Sequence, residues 1–406
     1  MTERRMHHID SAITKDEESA LSKEEHTPFG QEVEMVEETE HSEASVFVAS
    51  QWKLMWWKFK RHKMAMVGLV IVTILYLIAI FADFLAPNDP GDVSAQYTYA
   101  PPQGLHFVRE VDGETVFGAY VYGYESEINE ETFAKTFTIN KDQVIPVGFF
   151  VEGYEYKLFG LIPMNTHLFG PEDPIEAFYP LGADRLGQDL LSRLILGTRI
   201  SMSIGIVAVF ISLILGIVLG GMSGYFGGGV DMAMQRLIEF LQSIPTIPLW
   251  LGLAAAIPPT WSMLKTFFAI TIILSFLAWT SLARVVRRRF LSLREEEFVT
   301  AARLDGVGEM RIIIRHMAPS FASHIIASLT LAIPAAILAE TALSFLGLGL
   351  RSPLNSWGVL LQEAQNIRSV STAPWLLLPG VMVVLAVISL NFLGDGLRDA
   401  ADPYAT

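Results

Sequence analysis

Apolar and polar positions fall into long blocks along this chain. Six blocks are apolar enough to stand out: 64–85, 199–225, 237–257, 265–283, 323–346 and 375–393. A helix rises about 1.5 Å per residue, so about 20 apolar residues cross the hydrocarbon of a bilayer. The pattern therefore predicts an all-α polytopic membrane protein with six transmembrane helices. Between the first two blocks the pattern changes period. The run VDGE, residues 111–114, lies between FVRE and TVFGAYVYGY, and Asp-Gly between strands rich in Val, Phe and Tyr is a hairpin signal. Residues 87–180 are thus expected to form a small β-rich insert.

Within the blocks the residue types differ. The second holds Gly205, Gly216, Gly220, Gly221 and Gly224. Such small residues let helix backbones approach closely in lipid, where packing holds helices together. The third is interrupted by Pro245 and Pro248, which remove backbone donors and predict a bend. Residues 184–199 read as an amphipathic segment on the membrane surface, with Leu186, Leu190, Leu191, Leu194 and Ile195 on one face and Asp189 and Arg193 as an i,i+4 pair.

Charge then orients the spans. Of the 406 residues 51% are hydrophobic and only 18% charged, with a net charge of −14. That charge is unevenly placed. Residues 1–51 carry 13 acids and 4 basic residues with no amphipathic period, which predicts a disordered cytoplasmic tail. Residues 52–63, WKLMWWKFKRHK, hold five Lys or Arg interleaved with aromatics, an anchor for the headgroup layer; residues 52–86 thus join anchor and first helix. The insert is acidic. Cations on one side of the first span put residues 52–63 inside and the insert outside. Alternation then puts the arginine-rich stretch 284–315, with eight arginines and five acids, and both termini inside as well.

Candidate chemistry is sparse. Cysteine is absent, which excludes disulfides, thiol nucleophiles and Cys-ligated metals. No glycine precedes a lysine, so a nucleotide-binding P-loop is excluded, and neither HExxH nor GxSxG occurs. No catalytic residue, metal site or cofactor is expected. If the chain is part of a machine, its fuel must be handled by another chain.

Residues 297–319 are the most informative: EFVTAARLDGVGEMRIIIRHMAP. They predict a short helix, a turn at Gly306 and a second short helix, with Pro319 where a helix start tolerates proline. The spacing Ala301-Ala302, three residues, Gly306, then Pro319 resembles the EAA loop of ABC importer permeases. Three further stretches are similar to the C-type permease subunit of peptide and nickel importers: LGADRLGQDLLSR from Leu181, ETALSFLGLG from Glu340, and NFLGDGLRD from Asn391 to Asp399, followed by Asp402-Pro403. Thr300 stands where the motif's Glu is expected, and His316 and Ala318 where Ile and Leu are usual.

The resemblance implies a type I permease core over 181–406, preceded by one extra N-terminal helix. It implies a bacterial or archaeal cell membrane, a second, B-type permease subunit, and two ATPase subunits that bind ATP and Mg. An extracellular solute-binding protein and a di- or oligopeptide substrate complete the set; no nucleic acid is implied. A nickel chelate or other small solute is the alternative cargo; a secondary transporter or a membrane sensor fits less well. Thr300, Ala301, Ala302, Asp305, Gly306 and Arg311 are then the expected contacts to the ATPase. Glu239, Pro245, Glu340 and Asn391 are candidates for the translocation pathway or for helix packing, because charge at bilayer depth is costly. Asp184, Gln188, Asp189 and Arg193 are candidates for docking on the external face.

Overall fold

The computed structural model describes residues 51–111, 114–128 and 135–401. The acidic tail, the Asp112-Gly113 turn and Asp402-Pro403 lie outside the described residues. The chain divides into two units, the first ending at Lys58 and the second beginning at Phe59. In the first, helix α1 (Gln51–Arg61) begins, and the Lys53 ammonium lies 5.0 Å from the Trp57 ring, joining a cation to an aromatic in the basic stretch.

The second unit holds the spans. Helix α2 (Lys63–Ile80) is capped by the His62 ring, which accepts from the Ala65 amide at 3.1 Å, and a short turn α3 (Ala82–Leu85) ends it. The insert follows as an antiparallel meander of β1 (His106–Val111), β2 (Glu114–Ile128), β3 (Lys135–Leu158) and β4 (Ile162–Pro171). Strand β3 is long enough to pair with β2 along its first half and with β4 along its second. A small core of Val121, Ile145 and Phe178 holds it.

Helix α4 (Leu190–Phe226) is followed by α5 (Gly228–Ser243), α6 (Thr246–Ala255) and α7 (Met263–Leu293). Next come α8 (Glu297–Leu304) and α9 (Ala322–Phe345), then the short α10 (Trp357–Gln362) and α11 (Ile367–Thr372), and finally α12 (Leu378–Ala401). Among the described residues five helices are long and apolar enough to cross a membrane. A sixth crossing exists if α5 and α6, bent by 80° at a break, count as one span. The bend sits at Ile244-Pro245, where the proline ring cannot continue a helix.

Two seams show what the small residues do. A Cβ on Gly220 would sit 2.5 Å from the Ala283 carbonyl oxygen, and one on Gly224 2.7 Å from that of Arg287, so α4 and α7 touch backbone to backbone. A Cβ on Gly68 would likewise meet the Ser389 carbonyl oxygen at 2.5 Å, joining α2 to α12. These contacts exchange side-chain bulk for dispersion between backbones, which is how helices associate in lipid.

Two expectations need correction. Residues 184–199 do not form a separate surface helix: α4 starts at Leu190 and runs unbroken through the second span. Asp189 and Arg193 do not pair with each other. Asp189 is the N-cap of α4, accepting from the Leu191 and Ser192 amides at 3.2 and 2.9 Å, and Arg193 pairs with Asp184 instead. A carboxylate at a helix start satisfies orphan amides that no other group reaches, and that use takes precedence over an i,i+4 partner.

Candidate functional site

The end of α4 opposite the insert carries a layered cluster. Tyr225, Val286, Phe290, Ile312, Ile313, Met317 and Phe321 are buried together, and α8 is pinned on them by Val299 and Ala302. The Arg303 side chain lies over the Tyr225 ring, 4.7 Å from its centroid, and its Nε donates to the Tyr225 hydroxyl at 3.0 Å. One face of α8 is thereby fixed.

The other face is exposed among the described residues. Thr300, Ala301, Asp305, Gly306 and Arg311 are exposed, and Leu304 is 84% exposed. Of the adjacent alanines, Ala302 faces in and Ala301 faces out. The helix stops in a Schellman arrangement: the Gly306 amide donates to the Arg303 carbonyl at 3.0 Å and the Val307 amide to Ala302 at 3.1 Å. Gly306 has φ of +71°, a conformation that disfavours any residue with a Cβ. The expected second helix is a single turn, Glu309–Arg311. It passes into a π turn, Ile312–Met317, and a 3-10 turn, Ala318–Phe321, with Pro319 near its start. The π turn buries Ile312, Ile313 and Met317.

Between the spans a groove of about 680 Å³ is bounded by α4, α5, α6, α7 and α9. Ser212, Gln242, Thr246, Thr280, Ser281 and Ser328 supply polar groups, and alanines of α9 supply much of the rest. No charged side chain is among the described lining residues. Gln242 and Thr280 are hydrogen-bonded across it at 3.0 Å. Such a wall offers neutral donors and acceptors along a path without a fixed charge to hold an ionised group.

Each residue proposed for the pathway has a definite place. Glu340 is fully buried and accepts from Ser344 and Ser356 at 2.8 Å and from Ser201 at 3.3 Å, so it ties α9 to α4 and α10 rather than lining the groove. Glu239 is exposed on α5 and paired with Arg236 at 2.7 Å. Pro245 is the exposed residue at the α5–α6 bend, and Asn391 is half-buried on α12.

The residues proposed for docking on the insert side are all buried. Asp184 accepts from the Leu186 and Gln188 amides at 2.8 and 2.9 Å and pairs with Arg193, whose Nε reaches Asn355 at 2.9 Å. Gln188 donates to the Pro90 carbonyl at 3.0 Å. Burial pushes the Asp189 carboxyl up to about 6, against the opposing hydrogen bonds from Ser192. Burial, and then the charge of Asp184, also raises Glu363. These side chains shape the loop, and Arg185 and Leu186 are what it exposes.

The sequence reading missed the ion pair of Asp231 with Arg287, which Ser223 supports from 2.5 Å and which links α4, α5 and α7. The signal was there in part: an acid in the first turn after Gly227-Gly228-Gly229, and an arginine run at 287–289. Nothing in spacing couples segments so far apart.

An exposed knob thus stands on a bundle of span-length helices, beside a groove with no charged side chain among its described lining residues. Residues 212–405 match the family described as "Binding-protein-dependent transport system inner membrane component". Residues 50–102 match "N-terminal TM domain of oligopeptide transport permease C". The oligopeptide transport system permease protein OppC of Haemophilus influenzae is 41% identical over 230 residues, 56% of this chain and 71% of that protein. The dipeptide transport system permease protein DppC of Alkalihalophilus pseudofirmus is 31% identical over 355 residues, 87% of this chain and 90% of its own. The Bacillus subtilis OppC permease is 29% identical over 355 residues, 87% and 90% of the two chains. The chain belongs to the family of binding-protein-dependent transport permeases, in its OppC/DppC branch.

Proposed function

We propose that this chain is one half of the pore of an ATP-driven importer of di- and oligopeptides, in a bacterial or archaeal cell membrane. A B-type permease subunit supplies the other half, and two ATPase subunits bind all the ATP and Mg. Those ATPases dock on the exposed face of α8 and the Gly306 turn. A solute-binding protein delivers peptide on the insert side. The peptide assignment rests on relatives named for oligopeptide and dipeptide transport. The coupling role rests on one observation: α8 is fixed on one face by Val299 and Ala302, while the residues of its opposite face are exposed.

Closure of the ATPases would move α8 as a rigid piece, because its inner face is packed among the same residues that end α4 and α7. The uncharged groove suits a substrate whose backbone amides and carbonyls need partners. In this reading α8 and both termini are cytoplasmic, an orientation that the cations of 52–63 support and the arginines of 284–315 agree with. Uptake of labelled peptides by a deletion strain carrying the complete transporter tests the reading, with nickel uptake measured alongside. Peptide uptake that depends on this chain supports it; dependence of nickel uptake alone overturns the peptide assignment.

A further inference from the structure

The β3–β4 hairpin ends in a turn built against the usual preferences. Leu161 donates its amide to the Leu158 carbonyl at 3.1 Å, and the two residues between them, Phe159 and Gly160, have φ of +54° and +71°. Two successive positive φ values are the mark of a primed hairpin turn, where Asn-Gly is the favoured pair. Phenylalanine in the first position carries a Cβ that the left-handed region disfavours. A second phenylalanine, Phe150 on the same strand, also has a positive φ of 56°.

Both strained rings stand against the end of the first span. The Phe159 and Phe81 centroids are 5.9 Å apart, and those of Phe150 and Phe84 6.2 Å. The turn does not stop at that end. A groove of about 580 Å³ between the turn and the spans is lined by Phe159 and Gly160 together with Tyr76, Ile80, Met202 and Ile206. Tyr76 lies seven residues before Asp83, about 10 Å along the helix axis, so the turn reaches down the flank of the span. Its outward side chains are apolar: Leu161 is 82% exposed and Ile162 53%. They continue the apolar surface that α2 presents through Ile74, Leu77 and Ile80. At the mouth of the groove stand an exposed Lys157 and the Arg199–Asp83 pair, charges suited to the headgroup layer.

We propose that the β3–β4 hairpin tip, residues 158–162, inserts into the lipid leaflet on the insert side and anchors the insert to the bilayer beside the first span. Lipid is the occupant because the tip shares a groove with Tyr76 and Ile80, on the flank of a helix long and apolar enough to cross a membrane. An apolar patch in that position is covered by bilayer without a further partner. The anchor holds the insert at a fixed height over the membrane, whatever solute the pore carries.

The chain holds no cysteine, so Leu161→Cys gives one attachment point in it. A fluorophore there, in the assembled transporter in lipid nanodiscs, is read by quenchers placed at different depths on the lipid. Ile139→Cys is the control: Ile139 is also exposed, 62% against 82% for Leu161, but it lies in the half of β3 that pairs with β2, where Lys135 reaches the Gln96 carbonyl at 2.6 Å. The expected reading for residue 161 is about 5–10 Å below the headgroup boundary, with residue 139 in water. A label at 161 that aqueous quenchers reach as readily as at 139 overturns the proposal. So does one shielded from both lipid and water, which would mean a protein partner covers the tip. Adding Phe159→Asn keeps the turn, since Asn accepts positive φ, and should shift the 161 label towards water; an unmoved depth overturns the anchoring role of Phe159.

Discussion

Two turns of this protein carry the densest motif-like sequence, and they use their residues in opposite ways. The loop from Asp184 to Arg193 turns its charged groups inward: Asp184, Asp189 and Arg193 are all at least 90% buried and satisfied within the chain. The loop from Glu297 to Arg311 buries only Val299 and Ala302 and leaves its charged and polar groups in solvent. A buried polar loop is rigid because each donor has a fixed acceptor. A loop held by two apolar pins and a glycine keeps a clean surface for another protein. Similar motif density therefore marks a structural clamp in one place and a docking face in the other.

The sharpest way to break the comparison is Arg193→Leu. It leaves Asp184 buried and unpaired, and removing one partner of a buried pair destabilises by about 3–5 kcal/mol. Thermal unfolding of the assembled transporter should drop accordingly. The double variant Asp184→Asn with Arg193→Leu should recover part of the loss, because no lone charge remains. An Arg193→Leu variant as stable as the parent would mean that the loop is not a clamp.

Asp189 sharpens the same side through pH. Its carboxyl is raised from 3.8 to about 6 in the folded chain, so between those values the folded state binds more protons than the unfolded one. Its contribution is therefore fully present below about 4 and is lost as pH rises through 6. By the 1.36 kcal/mol carried by each pKa unit, the change amounts to about 3 kcal/mol at most. Asp189→Asn keeps an acceptor for the α4 cap and should flatten that part of the stability–pH profile. Identical profiles for the two proteins would remove Asp189 as the cause.

On the other loop, Gly306→Val is expected to cost about 1–2 kcal/mol through its positive φ alone, since nothing lies within 4 Å of the added Cβ. Gly306→Asn should cost less, because Asn tolerates that region. Membrane levels should persist in both, while peptide-stimulated ATP hydrolysis falls most in the valine variant. Coupling unchanged in Gly306→Val would sink the docking role of the turn.

What the sequence made legible follows the range of the interaction. The apolar runs, the proline bend near Pro245 and the glycine stop at Gly306 are local, and each stands in the structure near where the pattern puts it. Two of the three serines that Glu340 accepts from are not local: Ser201 lies on α4 and Ser356 at the N-cap of α10, and no spacing rule joins them to it. The Asp184–Arg193 pair was nearly legible, but an N-cap at Asp189 outranks an i,i+4 partner, and only the start of α4 reveals which applies. The groove polarity was unreadable for the same reason, because it is made of residues drawn from five helices.

The smallest expected effect is at Thr300, and it separates the two properties of α8 most cleanly. Thr300 is exposed on the face opposite Val299 and Ala302. Thr300→Ala removes a hydroxyl that the surrounding chain does not cover, so stability should stay within about 0.5 kcal/mol of the parent. Thr300→Glu adds the acid usual at this motif position and should be equally neutral for folding. Any change in peptide-stimulated ATP hydrolysis must then come from the partner surface rather than from α8 itself. If either variant lowered the unfolding temperature as Arg193→Leu is expected to, the outer face of α8 would be holding this chain together. The contrast between clamp and docking face would then fail.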